Sequence, residues 1–125
     1  MAKTATDPGS APCPIRNIVD RFGDKWSLLV LYNLHTGGRL RFSEIHRRMT
    51  DISQKMLAST LRRLEQDGLL SRTVYPEVPP RVEYALTPRG ESPMPHLVSL
   101  IGWALENFDA IVSDRNSLQA TGPDL

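Results

Sequence analysis

The chain has one cysteine, Cys13, in 125 residues. A lone thiol cannot close an intramolecular disulfide, which suits a reducing compartment. Long apolar runs are also missing: the longest, residues 28–32, has five residues, against roughly 18 for a membrane helix. The opening MAKTATDPGSAP holds no apolar segment that could act as a signal peptide, so a cytoplasmic protein with a disordered tail over 1–12 is expected. His35, His46 and His96 show no metal-ligand spacing, and no cysteine or second histidine completes a site. There is no Gly-rich phosphate loop and no carboxylate pair arranged for acid/base work. Together these absences argue against a membrane protein, a metal or cofactor site and an enzyme.

What is there reads as one globular domain, with 40% hydrophobic and 23% charged residues. The net charge of +1 hides an asymmetry: residues 39–89 carry ten Lys+Arg against six Asp+Glu, a balance of +4, and the rest carries five against eight, a balance of −3. A basic middle is compatible with a nucleic-acid partner and insufficient to establish one.

Periodicity divides the chain into elements. Ile15, Ile18, Val19 and Phe22 follow i, i+3, i+4, i+7, predicting an amphipathic helix that ends at Gly23. Leu28, Leu29, Val30, Leu31 and Leu34 nearly encircle the next helix, which predicts burial, and Gly37-Gly38 stops it. Phe42, Ile45 and Met49 predict a short third helix with Arg47 and Arg48 outside. After Thr50-Asp51-Ile52, Ser53 is a good N-cap, and Ile52 with Leu57 has the spacing of a hydrophobic staple. The helix so begun places Leu57, Thr60, Leu61 and Leu64 on one side, with Lys55, Ser59, Arg62, Arg63 and Gln66 on the other, and Gly68 ends it. Its first three turns contain no acid.

LLSRTVY and RVEYALT then predict two strands around PEVPP, whose prolines make a stiff tip that cannot extend the ladder. From Met94, apolar residues recur with helical period to Val112, more than one small domain should need, and the closing NSLQATGPDL reads as frayed. This last helix is either wrapped by the core or a dimer interface, and the first helix is available to pair with it. The expected dimer residues are Ile15, Ile18, Phe22, Leu97, Ile101, Leu105, Phe108 and Val112.

A short helix, a three-residue turn, a longer helix with a basic face and a proline-tipped hairpin follow the order of a winged helix-turn-helix, mainly α with a small β-hairpin wing. A major groove accepts one α-helix while the preceding helix crosses the backbone. Winged helices also serve as protein-protein modules, and that alternative predicts weak dependence on salt where DNA binding predicts a steep one.

The segments CPIRNIVDRFGDKWSLLVLYNL, RFSEI and ISQKMLASTLRRLEQDGLLSRTVYPEVPPRVEYALTPRG, in this order, resemble the HxlR family of transcriptional regulators, relatives of the MarR group. The likeness runs from Cys13 to about Phe108. It implies a domain over 13–112 between tails at 1–12 and 113–125, and a homodimer built from the terminal helices. It also implies two recognition helices on a palindromic double-stranded DNA operator. Some family members respond to oxidants or electrophiles through a cysteine near the position of Cys13. The same residue could instead be a quiet buried filler.

Gln54, Lys55, Ser59 and Arg62 are the candidates for base reading, since Gln suits adenine and Arg or Lys suits guanine. An ordinary solvated face is the plainer account. Arg63, Arg47, Arg48 and Arg39 are candidates for phosphates, which position without carrying sequence information. Arg81 suits a phosphate or the minor groove, or else a strand-edge charge that opposes edge pairing. Trp26 could line a ligand pocket, although a tryptophan on a buried helix more often belongs to the core.

Overall fold

The computed structural model describes residues 15–17, 20 and 23–121. Cys13, Ile18, Phe22 and the tail over 1–12 lie outside the described residues. Ile15 is helical and exposed. The chain forms two units that divide between Ser92 and Pro93.

In the first unit, α1 (Lys25–Gly37) begins where the Asp24 carboxylate accepts the Trp26 N–H at 3.3 Å. Val30, Leu31 and Leu34 are buried. Leu29 is 40% exposed, so the helix is not buried all round as its composition predicts. Its apolar surplus covers one side more than this unit encloses. Trp26 is half-buried with the Lys25 ammonium 4.4 Å from its ring centroid, at the margin of the core and not within it.

A two-residue strand, β1 (Leu40–Arg41), leads directly into α2 (Phe42–Arg48). Glu44 reaches back to accept the Arg41 N–H at 2.7 Å, satisfying a donor that the first turn leaves open. After a short turn comes α3 (Gln54–Gln66), where the Ser53 hydroxyl accepts the Met56 N–H at 3.0 Å. Ile52 and Leu57 are both buried, as the staple requires. His46 Nε2 lies 2.8 Å from the Ile52 carbonyl oxygen and ties the turn to α2. Gly68, at φ +77°, supplies the left-handed residue that ends α3.

The hairpin consists of β2 (Leu70–Tyr75) and β3 (Arg81–Leu86), paired antiparallel with Arg72 opposite Tyr84 and Tyr75 opposite Arg81. β1 adds to the far edge of β3, with Leu40 opposite Tyr84, to give the order β1-β3-β2. This third strand has no counterpart in the predicted elements, because two residues show no period. A single turn, α4 (Pro88–Glu91), closes the unit, and Thr87 caps it by accepting the Gly90 N–H at 3.1 Å. Val30, Leu31, Leu34, Ile45, Leu57, Leu61, Leu64 and Leu70 make the core around which these elements sit.

The second unit contains α5 (Met94–Thr121), 28 residues long. Pro95 occupies its first turn, where the missing N–H has no intrahelical partner to lose. The helix continues past Val112, which corrects the expectation of a frayed segment beginning at 113. Residues 113–121 contain no glycine or proline, the next being Gly122-Pro123, and extending an existing helix is cheap.

Candidate nucleic-acid interface

The site is the outer side of α3. Lys55, Ser59, Arg62 and Gln66 follow i, i+4, i+7 and i+11, so they form one stripe, and all four are exposed. Leu57, Thr60, Leu61 and Leu64 are buried beneath. Gln54 is exposed on the first turn. Among the described residues neither Lys55 nor Arg62 forms an ion pair. Arg47 and Arg48, in the last turn of α2, are exposed and also without an ion pair there. The Arg48 guanidinium lies beside Gly37.

Arg63, expected as a phosphate contact, is paired within the fold. Its guanidinium donates to the Asp24 carboxylate at 2.7 Å and to the Ser27 hydroxyl at 2.6 Å, and Ser27, itself buried, donates to Asp24 at 3.2 Å. The residue closes α3 onto the N-terminus of α1. Burial by itself would raise the Asp24 pKa. The hydrogen bonds from the Trp26 N–H, Arg63 and Ser27, together with the Arg63 charge, outweigh it and hold the carboxyl below its ordinary value.

Arg39 and Arg81 are also engaged within the fold. Arg81 lies within 3.1 Å of Glu77 and 3.6 Å of Glu83, and its guanidinium stands 4.0 Å from the Tyr75 ring centroid. Arg39 pairs with the same Glu83 at 3.9 Å and reaches Thr73 at 3.5 Å. Strand alternation places Thr73, Tyr75, Arg81 and Glu83 on one face of the hairpin, and Arg72, Val74, Val82 and Tyr84 on the other. The two arginines singled out in the wing region therefore sit on the face opposite the one that meets α3.

That second face also presents Arg72, which is not among the site residues expected from the sequence. Phe42, Ala58, Arg62, Glu65, Arg72 and Tyr84 line a cleft of about 360 Å³ between α3 and the sheet. Arg72 is exposed and without an ion pair among the described residues. Its signal was the alternation itself: it occupies an apolar phase between Leu70 and Val74, a place where a charge is unexpected.

Among the described residues no three His, Cys, Asp or Glu side chains come together as a metal site, and no helix is long and apolar enough to cross a membrane.

The profile of the HxlR-like helix-turn-helix family matches residues 21–112. An HTH-type transcriptional regulator of Methanothermobacter thermautotrophicus is 54% identical over 91 residues, 73% of this chain and 69% of its own length. Among solved structures, the transcriptional regulator YtfH from Salmonella typhimurium superposes with a TM-score of 0.77 at 40% identity, covering 86% of this chain and 95% of that one. The redox regulator HypR in its reduced form gives 0.74 at 38% identity, covering 80% and 98%.

Proposed function

The chain belongs to the HxlR-like helix-turn-helix family of transcriptional regulators, and from that premise we propose that it binds a specific double-stranded DNA operator as a homodimer. The observation that carries the reading is the stripe of Lys55, Ser59 and Arg62, with Gln54 at its head. It is exposed, free of acids through the early turns and held at a defined angle by the Ser53 cap and the Arg63–Asp24 pair. These side chains enter a major groove and read bases, while Arg47 and Arg48 touch phosphates. Arg63 is withdrawn from that set, and Arg39 and Arg81 serve chiefly to stiffen the wing.

Dimerisation rests on α5. Trp103, Leu105 and Phe108 are 55%, 73% and 59% exposed in the single chain, a surplus that a second copy covers. Two recognition helices related by a dyad then meet half-sites about 10 bp apart or a multiple of that. The DNA-binding unit in this reading spans 13–112, and Cys13 acts as a thiol switch. The redox regulator HypR is a relative with structures in both reduced and oxidised forms.

The test is selection of bound fragments from the source genome in vitro, followed by titration of the enriched DNA at several salt concentrations. Enrichment of a palindromic motif and a steep log-log fall in affinity with salt are expected. Salt-insensitive binding, or no enrichment, would transfer the wing and α3 to protein docking.

A further inference from the structure

We propose that Met56 is a specificity-determining residue of the interface, and that its side chain reads the C5-methyl group of one thymine in each half-site. Met56 lies on the first turn of α3, where its backbone N–H is held by the Ser53 hydroxyl at 3.0 Å. The other large apolar residues of this helix, Leu57, Leu61 and Leu64, are 1% exposed or less, whereas Met56 is 43% exposed. The core therefore does not account for it. Three residues separate Met56 from Ser59 and seven from Arg63, so by helical period it stands beside the reading stripe, on the flank that carries Arg63. Ala58 and Glu65, which border the sheet, lie on the opposite flank.

The chemistry of the surroundings selects the partner. Around Met56 the exposed side chains are Gln54, Lys55 and Ser59, each of which can exchange hydrogen bonds with a base edge or a phosphate. A thioether is only a weak acceptor, so its gain comes from apolar contact. In the major groove the base edges offer donors and acceptors, and the thymine methyl is the one apolar group among them. Phosphates line the rest of the groove, and methionine carries no charge to neutralise them. Gln54, two residues earlier, suits adenine, so the first turn is equipped to read A·T pairs twice, by hydrogen bond and by methyl contact. The unbranched side chain, with three rotatable bonds, adapts to the position of that methyl. This inference rests on the DNA-reading role of α3 proposed above.

The experiment takes the full chain and the operator enriched from the genome, and replaces each thymine of the half-sites in turn by 2′-deoxyuridine, which keeps the base pair and removes only the methyl. At one thymine position the native chain should lose about fourfold in affinity per half-site, the value of one buried methyl-sized group. Met56→Ala, which keeps a good helix former in α3, should show a loss of at least that size on the thymine operator. On the uridine operator the variant should lose nothing more, so that the two changes do not multiply. Met56→Leu should retain the discrimination. Both variants should keep the thermal midpoint of the native chain, because the replaced side chain is exposed. A loss for Met56→Ala that is equal on thymine and uridine DNA at every position would assign Met56 to packing or to a protein partner and overturn the proposal. A bound operator whose half-sites hold no thymine would overturn it too, while leaving the DNA-reading role in place. Failure to enrich any operator would remove that role, and the thymine contact with it.

Discussion

The Arg63 guanidinium lies 2.7 Å from the Asp24 carboxylate, across 39 residues of chain, and joins the cap of α1 to the outward-facing helix α3. One carboxylate thus does two jobs, since it also accepts the Trp26 N–H. Asp24→Ala should cost about 1–2 kcal/mol, as a lost cap and a lost charged hydrogen bond, read from the denaturant midpoint. The folded-state pKa of Asp24 is depressed below its ordinary 3.8. The associated stabilisation is therefore complete above that value and disappears as pH falls through the folded-state value. The native chain should lose this contribution in acid, and Asp24→Ala should show a flatter acid limb.

Gly90 packs so that an added Cβ would overlap the Leu69 carbonyl oxygen, a backbone atom that cannot swing aside. Gly90→Ala should destabilise the first unit by about 1–3 kcal/mol through overpacking. An unchanged chemical-denaturation midpoint would count against this close approach.

Arg62 and Arg81 should behave differently on DNA. Arg62→Ala is expected to cost about 1–3 kcal/mol on the selected operator and little on random DNA. Arg81→Ala removes a cation already shared by Glu77 and Glu83, so its main effect should be a loosened wing. Arg47→Ala should weaken both DNAs alike and reduce the salt slope by about one. Equal losses on both DNAs for Arg62 would reassign it to the backbone.

Leu105→Glu places a charge at a strongly exposed apolar position of α5. Sedimentation should show a dimer for the native chain and a monomer for the variant, with operator binding reduced and the helical spectrum retained. A native chain that sediments as a monomer at micromolar concentration rules out the dimer.

Diamide oxidises two thiols to one disulfide, taking up the two electrons and two protons. With Cys13 the only cysteine, the products are a bridge between two chains or a mixed disulfide with an added small thiol. Diamide should lower operator affinity in the native chain and have no effect on Cys13→Ser. The same response from both proteins would make Cys13 structural.

Much of the fold was legible because its signals are local. The Ser53 cap, the Ile52 and Leu57 staple, the left-handed Gly68 and the alternation of Val82, Tyr84 and Leu86 each act within a few residues. Their order along the chain then joined these pieces into a winged helix, and the family likeness supported that reading. The exposed stripe of α3 was equally readable, since helical period alone separates Lys55, Ser59 and Arg62 from the buried leucines.

Periodicity could not say which charges are spent inside the molecule. Arg62 and Arg63 are adjacent and chemically identical, yet one meets solvent and the other meets Asp24, because α1 packs against one flank of α3. Arg72 and Arg81 divide in the same way across the two faces of a hairpin whose register sets their neighbours. The two-residue strand β1 exists only through its pairing with β3. By itself the sequence determined α2, α3 with its Ser53 cap and its buried leucine face, and the two long strands, all of which depend on neighbours a turn or a strand step away. Only the tertiary structure decided which arginines remain unpaired, because a charge is neutralised by whatever the fold brings within a few ångströms, however distant in the chain.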